Sequence, residues 1–148
     1  MIYKQVVAIN SDFNFVKSSF RELNFLKHLI KWQPVKLVRW DGIENGDIAH
    51  MKIWFFGWKD FIVKHQFNKE NDFILDFTDL NVKLPLGLIF WNHNHKVSNS
   101  NNNIIITDHI KFKHKYKVVE FLLYLPMIFP ILMRKISYKS YFKKNKPL

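Results

Sequence analysis

The chain has 148 residues, 48% of them hydrophobic and 17% aromatic, and a net charge of +11. These values fit one folded domain over residues 1–148 and exclude a disordered chain. The absence of Cys removes disulfides, thiolate metal sites and cysteine nucleophiles, and 4 Gly are too few for a fold built on Gly-rich phosphate loops.

The positive charge is scattered, and its only dense cluster is Arg134, Lys135, Lys139, Lys143, Lys144 and Lys146. Residues 143–148 read as a frayed basic tail. No P-loop, helix-turn-helix, zinc-finger or RNP signature accompanies the charge, so no nucleic-acid partner is expected. The start, Met1 to Phe13, has neither the apolar core nor the cleavage site of a signal peptide, and a cytoplasmic location is the expectation.

In chain order, Ile2 to Asn10 is β-rich and reads as a first strand. Ser11-Asp12 offers a helix N-cap, and from Asp12 to Lys31 apolar residues recur at three- and four-residue steps. A break at Asn24 makes two short helices, and Pro34 ends the second. The period then changes to two. Strands are expected at Val35–Trp40, Ile48–Phe56, Phe61–Phe67 and Phe73–Thr78, with a turn at Asp41–Asp47, a hairpin loop at Asn68–Asn71 and a loop at Asp79–Gly87. Val118–Met133 is strongly apolar, but Glu120, Pro126 and Pro130 interrupt it and it is shorter than the roughly 20 residues of a membrane span. It reads as a loop or first turn to Leu125, then a helix continuing to Phe142.

The most informative stretch is Phe90 to Phe112, a hairpin of two alternating runs around the polar turn Ser98–Asn103. Alternation puts Trp91, His93, His95 and Val97 on one face of the first strand, and Ile104, Ile106, Asp108, Ile110 and Phe112 on one face of the second. If Val97 faces Ile104, His93 lies across from Asp108; slipped by two residues, His95 takes that place. Either register sets an imidazole and a carboxylate in an apolar wall.

Strand, helix pair, six strands and an apolar C-terminal helix is the order of the helix-grip fold. The motif of Trp91, His93 and His95, a short turn, then Ile106 to Phe112 resembles the START-like SRPBCC superfamily, closest to its small bacterial ligand-binding and cell-division-inhibitor-like members. The resemblance implies an α+β fold, an antiparallel seven-stranded sheet wrapped around a long C-terminal helix with two short helices after the first strand. It also implies an apolar cavity between sheet and helix that binds lipid, isoprenoid or polyketide-like molecules. Two features depart from the pattern: Lys113–Lys117 replaces a Gly-rich loop before the last helix, and the Ser98–Asn103 turn lacks the common Gly.

The expected function is non-catalytic binding of a hydrophobic small molecule. Ligand contacts are assigned to Trp40, Phe61, Phe73, Trp91, His93, His95, Ile106, Asp108, Ile110, Phe129 and Met133. His93, His95 and Asp108 are also the candidates for acid–base catalysis in a cyclase or hydratase, against the plainer reading of a cross-strand pair that satisfies two buried polar groups. His93 and His95 project together, but Asp108 is read as orienting a histidine, so neither a metal nor a cofactor is expected. His50 and His65 read as isolated surface or core residues, and Asp76 and Asp79 as a solvated loop. Arg134, Lys135 and Lys139 are the residues expected to meet an anionic membrane.

Overall fold

The structure is a computed structural model that describes residues 1–100 and 103–145. Strand β1 (Ile2–Ile9) is followed by helices α1 (Phe13–Ser19) and α2 (Leu23–Ile30). Six strands follow: β2 (Val35–Trp40), β3 (Ile48–Trp54), β4 (Trp58–Glu70), β5 (Ile74–Lys83), β6 (Leu88–Ser100) and β7 (Asn103–His114). Helices α3 (Lys117–Leu122) and α4 (Tyr124–Lys144) close the chain. The strands form one sheet in the order β1-β7-β6-β5-β4-β3-β2, with every pair antiparallel. β2 to β7 run as a meander, and the helix pair carries the chain from β1 at one edge to β2 at the other.

Local chemistry sets the element ends. The Asp12 carboxylate caps α1 by accepting from Phe15 N–H at 2.8 Å. The two short helices part at Phe20–Glu22, not at Asn24, because Glu22 takes an extended conformation and becomes the N-cap of α2; Asn24 lies inside that helix. β4 runs on to Glu70, beyond the expected end at Phe67, because the Asn71 side chain makes the tight turn by accepting from the N–H groups of Phe73 and Ile74. The expected loop at Asp79 is instead part of β5, whose pairing with β4 and β6 is continuous there. Likewise, α3 replaces the loop expected before Leu125. Glu120, 2% exposed, anchors it by accepting from His114 N–H at 2.9 Å. Pro126 falls in the first turn of α4, where a missing N–H costs nothing.

α4 lies across the inner face of the sheet and buries Met127, Ile128, Ile131, Tyr138 and Phe142. Gln5 of β1 ties it down by donating to the Ile131 carbonyl at 2.9 Å. The core divides into two hydrophobic clusters. One joins Phe13, Phe20, Phe25, Phe77, Val97 and Ile106 to Tyr138 and Phe142 at the far half of α4. The other joins Phe61, Val63, Trp91, Ile110 and Phe112 to Met127 and Ile131 at its near half. Among the described residues no helix is long and apolar enough to cross a membrane. α4 continues through Lys144, so the first two residues of the expected frayed tail are helical, while residues 146–148 lie outside the described residues.

Candidate functional site

A belt of polar side chains runs across the sheet between the two clusters. Register places it: Gln5 pairs with Asp108, Asp108 with His95, His93 with Asp79, and Asp79 with His65. The belt thus crosses five adjacent strands, β1, β7, β6, β5 and β4, and Arg134 of α4 reaches it from above. Each member replaces an apolar residue in an alternating row. Asp108 sits between Ile106 and Ile110, which belong to different clusters, and His65 follows Val63.

The β6–β7 register is the slipped one: Val97 faces Ile106, and His95 is the residue opposite Asp108. Both histidines nevertheless use that carboxylate. His93 Nε2–H donates to Asp108 Oδ1 at 2.9 Å, and His95 Nδ1 lies 3.3 Å from the same oxygen. Tyr138 O–H donates to Asp108 at 3.1 Å, and an Arg134 N–H stands 3.5 Å away. His95 Nε2–H donates to Asp79 Oδ2 at 3.0 Å. His65 Nε2 is 3.0 Å from Asp79 Oδ1, but off the line of a hydrogen bond, so that oxygen has no donor among the described residues.

The network sets the charges. Burial alone would raise both carboxyl groups, but the hydrogen bond from His93, with the His95 imidazole close by, holds Asp108 far below the usual carboxylate range, and the charge and hydrogen bond of His95, with His65 close by, hold Asp79 well below it. Burial pushes His93 down to about 4, and His95 beside it adds to the fall. Burial also opposes charge on His95, yet Asp79 and Asp108 outweigh it and raise that imidazole. The Tyr138 hydroxyl is pushed well above 10 by burial and by Asp108.

Above the belt a cavity of about 460 Å³ opens between β3, β4 and the first half of α4. Met51, Ile53, Phe61, Leu86, Met127 and Ile131 form its apolar wall, and Asp79, His93, Arg134 and Gln33 its polar end. A smaller cavity of about 50 Å³ touches the belt from the other side at His65, Asp79, His95 and Arg134. Trp91 lines the larger cavity and is 3% exposed, and its buried indole N–H has no partner among the described residues.

Of the residues expected to hold a ligand, Phe61, Trp91, His93 and Phe129 line the large cavity, while Trp40 and His95 line the small one. Asp108 lies beneath His93 and lines neither. Ile106 and Ile110 are core residues buried in the two clusters rather than in a cavity wall. Met133 is half-buried outside both cavities, because helical rotation turns its neighbour Arg134 inward instead. Phe73 is 62% exposed: it belongs to the Asn71 turn, one residue before β5, and points away from the core. Arg134 is not a membrane-facing cation, since its side chain is 12% exposed and turned to Asp108. His65 is not isolated, and Asp79 is not solvated.

Sequence signals for the missed residues exist. Leu75, Phe77 and Asp79 continue one strand face, and Met127, Ile131, Arg134 and Tyr138 follow one helical stripe of four-, three- and four-residue steps.

No family model matches the sequence, and no curated protein does either. Solved structures match the fold. A START superfamily protein from Mycobacterium smegmatis superposes with a TM-score of 0.68 at 9% identity, over 97% of each chain. Norcoclaurine synthase from Thalictrum flavum, in complex with dopamine and hydroxybenzaldehyde, gives 0.63 at 14% identity, over 100% of this chain and 89% of that one. A nucleoside-diphosphate sugar epimerase from Corynebacterium glutamicum gives 0.63 at 12% identity, but this chain spans only 28% of its length. The chain therefore has the helix-grip fold of the START-like SRPBCC proteins, an α+β sheet closed over a long C-terminal helix.

Proposed function

We propose that the chain holds one hydrophobic small molecule, lipid-, isoprenoid- or polyketide-like, between the sheet and α4, without converting it. The observation that carries this is the cavity of about 460 Å³, apolar along its walls and polar at one end. A buried CH₂ contributes about 0.8 kcal/mol, so a body of about ten carbons supplies roughly 8 kcal/mol before the entropy of association offsets part of it. The Arg134 guanidinium is a donor at that end, which selects a head group carrying acceptor oxygens. Retention without turnover is favoured because a His93 held at about 4 is a weak base near neutral pH.

The cavity mouth supports a route for loading. Trp54, Leu125, Phe129 and Leu132 border it and are exposed, and Phe56 at the neighbouring β3–β4 turn is 86% exposed. Lys36 stacks over Trp58 nearby, at 4.1 Å from its ring centre. An apolar rim on a chain of net charge +11 suits transient contact with an anionic membrane, through the mouth rather than through Arg134.

Titration with cis-parinaric acid tests the proposal. Saturable uptake of one equivalent, lost in Ile53→Trp, which fills the cavity, is the expected result. Absence of saturable uptake, or uptake unchanged in that variant, contradicts it.

A further inference from the structure

Asp79 and His93 face each other across β5 and β6, and His95 follows two residues on along the same face. Each can offer one donor atom, and the three donor atoms lie within 4.8 Å of one another. His95 Nε2 is 3.0 Å and His93 Nδ1 3.7 Å from Asp79 Oδ2. Two ligands each about 2.1 Å from one ion stand roughly 3.0–3.4 Å apart, so small side-chain adjustments close this set on a cation. We propose that Asp79, His93 and His95 form a two-histidine, one-carboxylate site for a first-row divalent cation of the zinc or ferrous type.

The surroundings match what such a site requires. A metal-bound histidine donates its other ring N–H to a carboxylate or carbonyl, which fixes the tautomer and orients the ring. Asp108 stands in that position for both rings: His93 Nε2–H donates to it, and His95 Nδ1, 3.3 Å from it, would carry the His95 proton once Nε2, which donates to Asp79 without a metal, binds the ion. With the proton of His93 on Nε2, the Nδ1 lone pair of the neutral ring turns toward the Asp79 carboxylate. Two acceptors then face each other at 3.7 Å, a mismatch that a cation between them removes. Asp79 Oδ1 and His95 Nδ1 are buried atoms without hydrogen-bond partners, so the network as it stands is not self-satisfied.

Imidazole and carboxylate ligands suit zinc, ferrous and manganous ions, and the chain has no Cys to favour softer ones. Asp79 and His93 also line the large cavity, so positions left open on the ion face the space where a ligand would lie. Arg134 does not block the site, because it turns to Asp108 and two carboxylates serve the cluster. The expectation of no metal rests on reading Asp108 as the carboxylate that orients a histidine, and Asp79, read as part of a solvated loop, was not weighed as a ligand. With Asp79 on β5, the missing ligand is supplied.

The test uses the full chain, freed of metal with a chelator and of apolar ligands with a hydrophobic resin. Zn²⁺ is titrated by calorimetry and Co²⁺ by visible absorption. One equivalent of each should bind, with a Co²⁺ d–d band and a higher melting temperature. Asp79→Asn and His95→Gln should weaken binding at least about tenfold, and Asp108→Asn about 10- to 100-fold. His50→Gln, at a half-buried His–Asp pair away from the belt, should change nothing. Should a belt variant fail to fold, X-ray absorption of the Zn²⁺-loaded wild type decides, with two imidazoles expected. Failure to bind one equivalent, fewer than two imidazoles, or a loss confined to His50→Gln overturns the proposal. Ile53→Trp should leave the metal isotherm unchanged, so failure of metal binding and failure of apolar-ligand binding are read separately.

Discussion

His95 stands opposite Asp108 in the β6–β7 register, yet His93, two residues away, makes the 2.9 Å hydrogen bond to that carboxylate. One buried acid therefore organises both imidazoles, together with Tyr138 and Arg134 from α4. Removing it strands several buried donors at once. Asp108→Ala should lower stability by about 3–5 kcal/mol, the scale for breaking a buried, hydrogen-bonded ion pair. Urea unfolding followed by circular dichroism measures this. Removing Asp60, whose partners Lys83 and His50 are on the surface, should barely move the midpoint.

The polar end of the cavity should discriminate between head groups. Arg134→Met should cost a carboxylate-headed ligand about 1.5–3 kcal/mol. A hydrocarbon of equal length should be much less affected by that change. Competition against a fluorescent fatty acid reads the difference.

Acid should weaken the junction between β7 and α3. The His114 N–H, then the Met1 ammonium and Lys117, hold the Glu120 carboxyl at about 2, against 4.5 for an ordinary glutamate. A folded-state value below the unfolded one means that the unfolded chain binds the proton more readily. The stabilisation is therefore complete above pH 4.5 and is lost as pH falls toward 2. Urea midpoints measured from pH 7 down to pH 2.5 should fall less steeply in Glu120→Gln than in the wild type.

If the cavity loads at a membrane surface, the apolar rim carries the contact. The double variant Phe56→Ser, Leu125→Ser should reduce sedimentation with anionic liposomes severalfold, while binding to neutral liposomes stays weak throughout. Equal sedimentation of variant and wild type would remove the rim from the account.

Much of the fold was legible because alternation and helical period act locally. Trp91, His93, His95 and Val97 are all buried on the face that alternation gave them, as are Ile104, Ile106, Asp108, Ile110 and Phe112. Register was not legible, because two slips of the hairpin keep the same faces inward and differ only in which histidine meets Asp108. Asp79 was missed for another reason. A carboxylate beside Thr78 and Asp76 reads as a polar loop until cross-strand histidines are there to pay for its burial. Arg134 was read with the lysines that follow it, although Ile131 and Tyr138 put it on the inner stripe of α4. Both errors arise where pairing between distant segments overrides local polarity.

Native mass spectrometry of the gently purified protein, before and after denaturation, tests the central claim most directly. The account predicts a chain carrying one small apolar molecule with an oxygen-bearing head, released on denaturation, or one such molecule taken up from a lipid extract by an empty chain. A bare chain that takes up nothing from the extract, while remaining folded by circular dichroism, would contradict it.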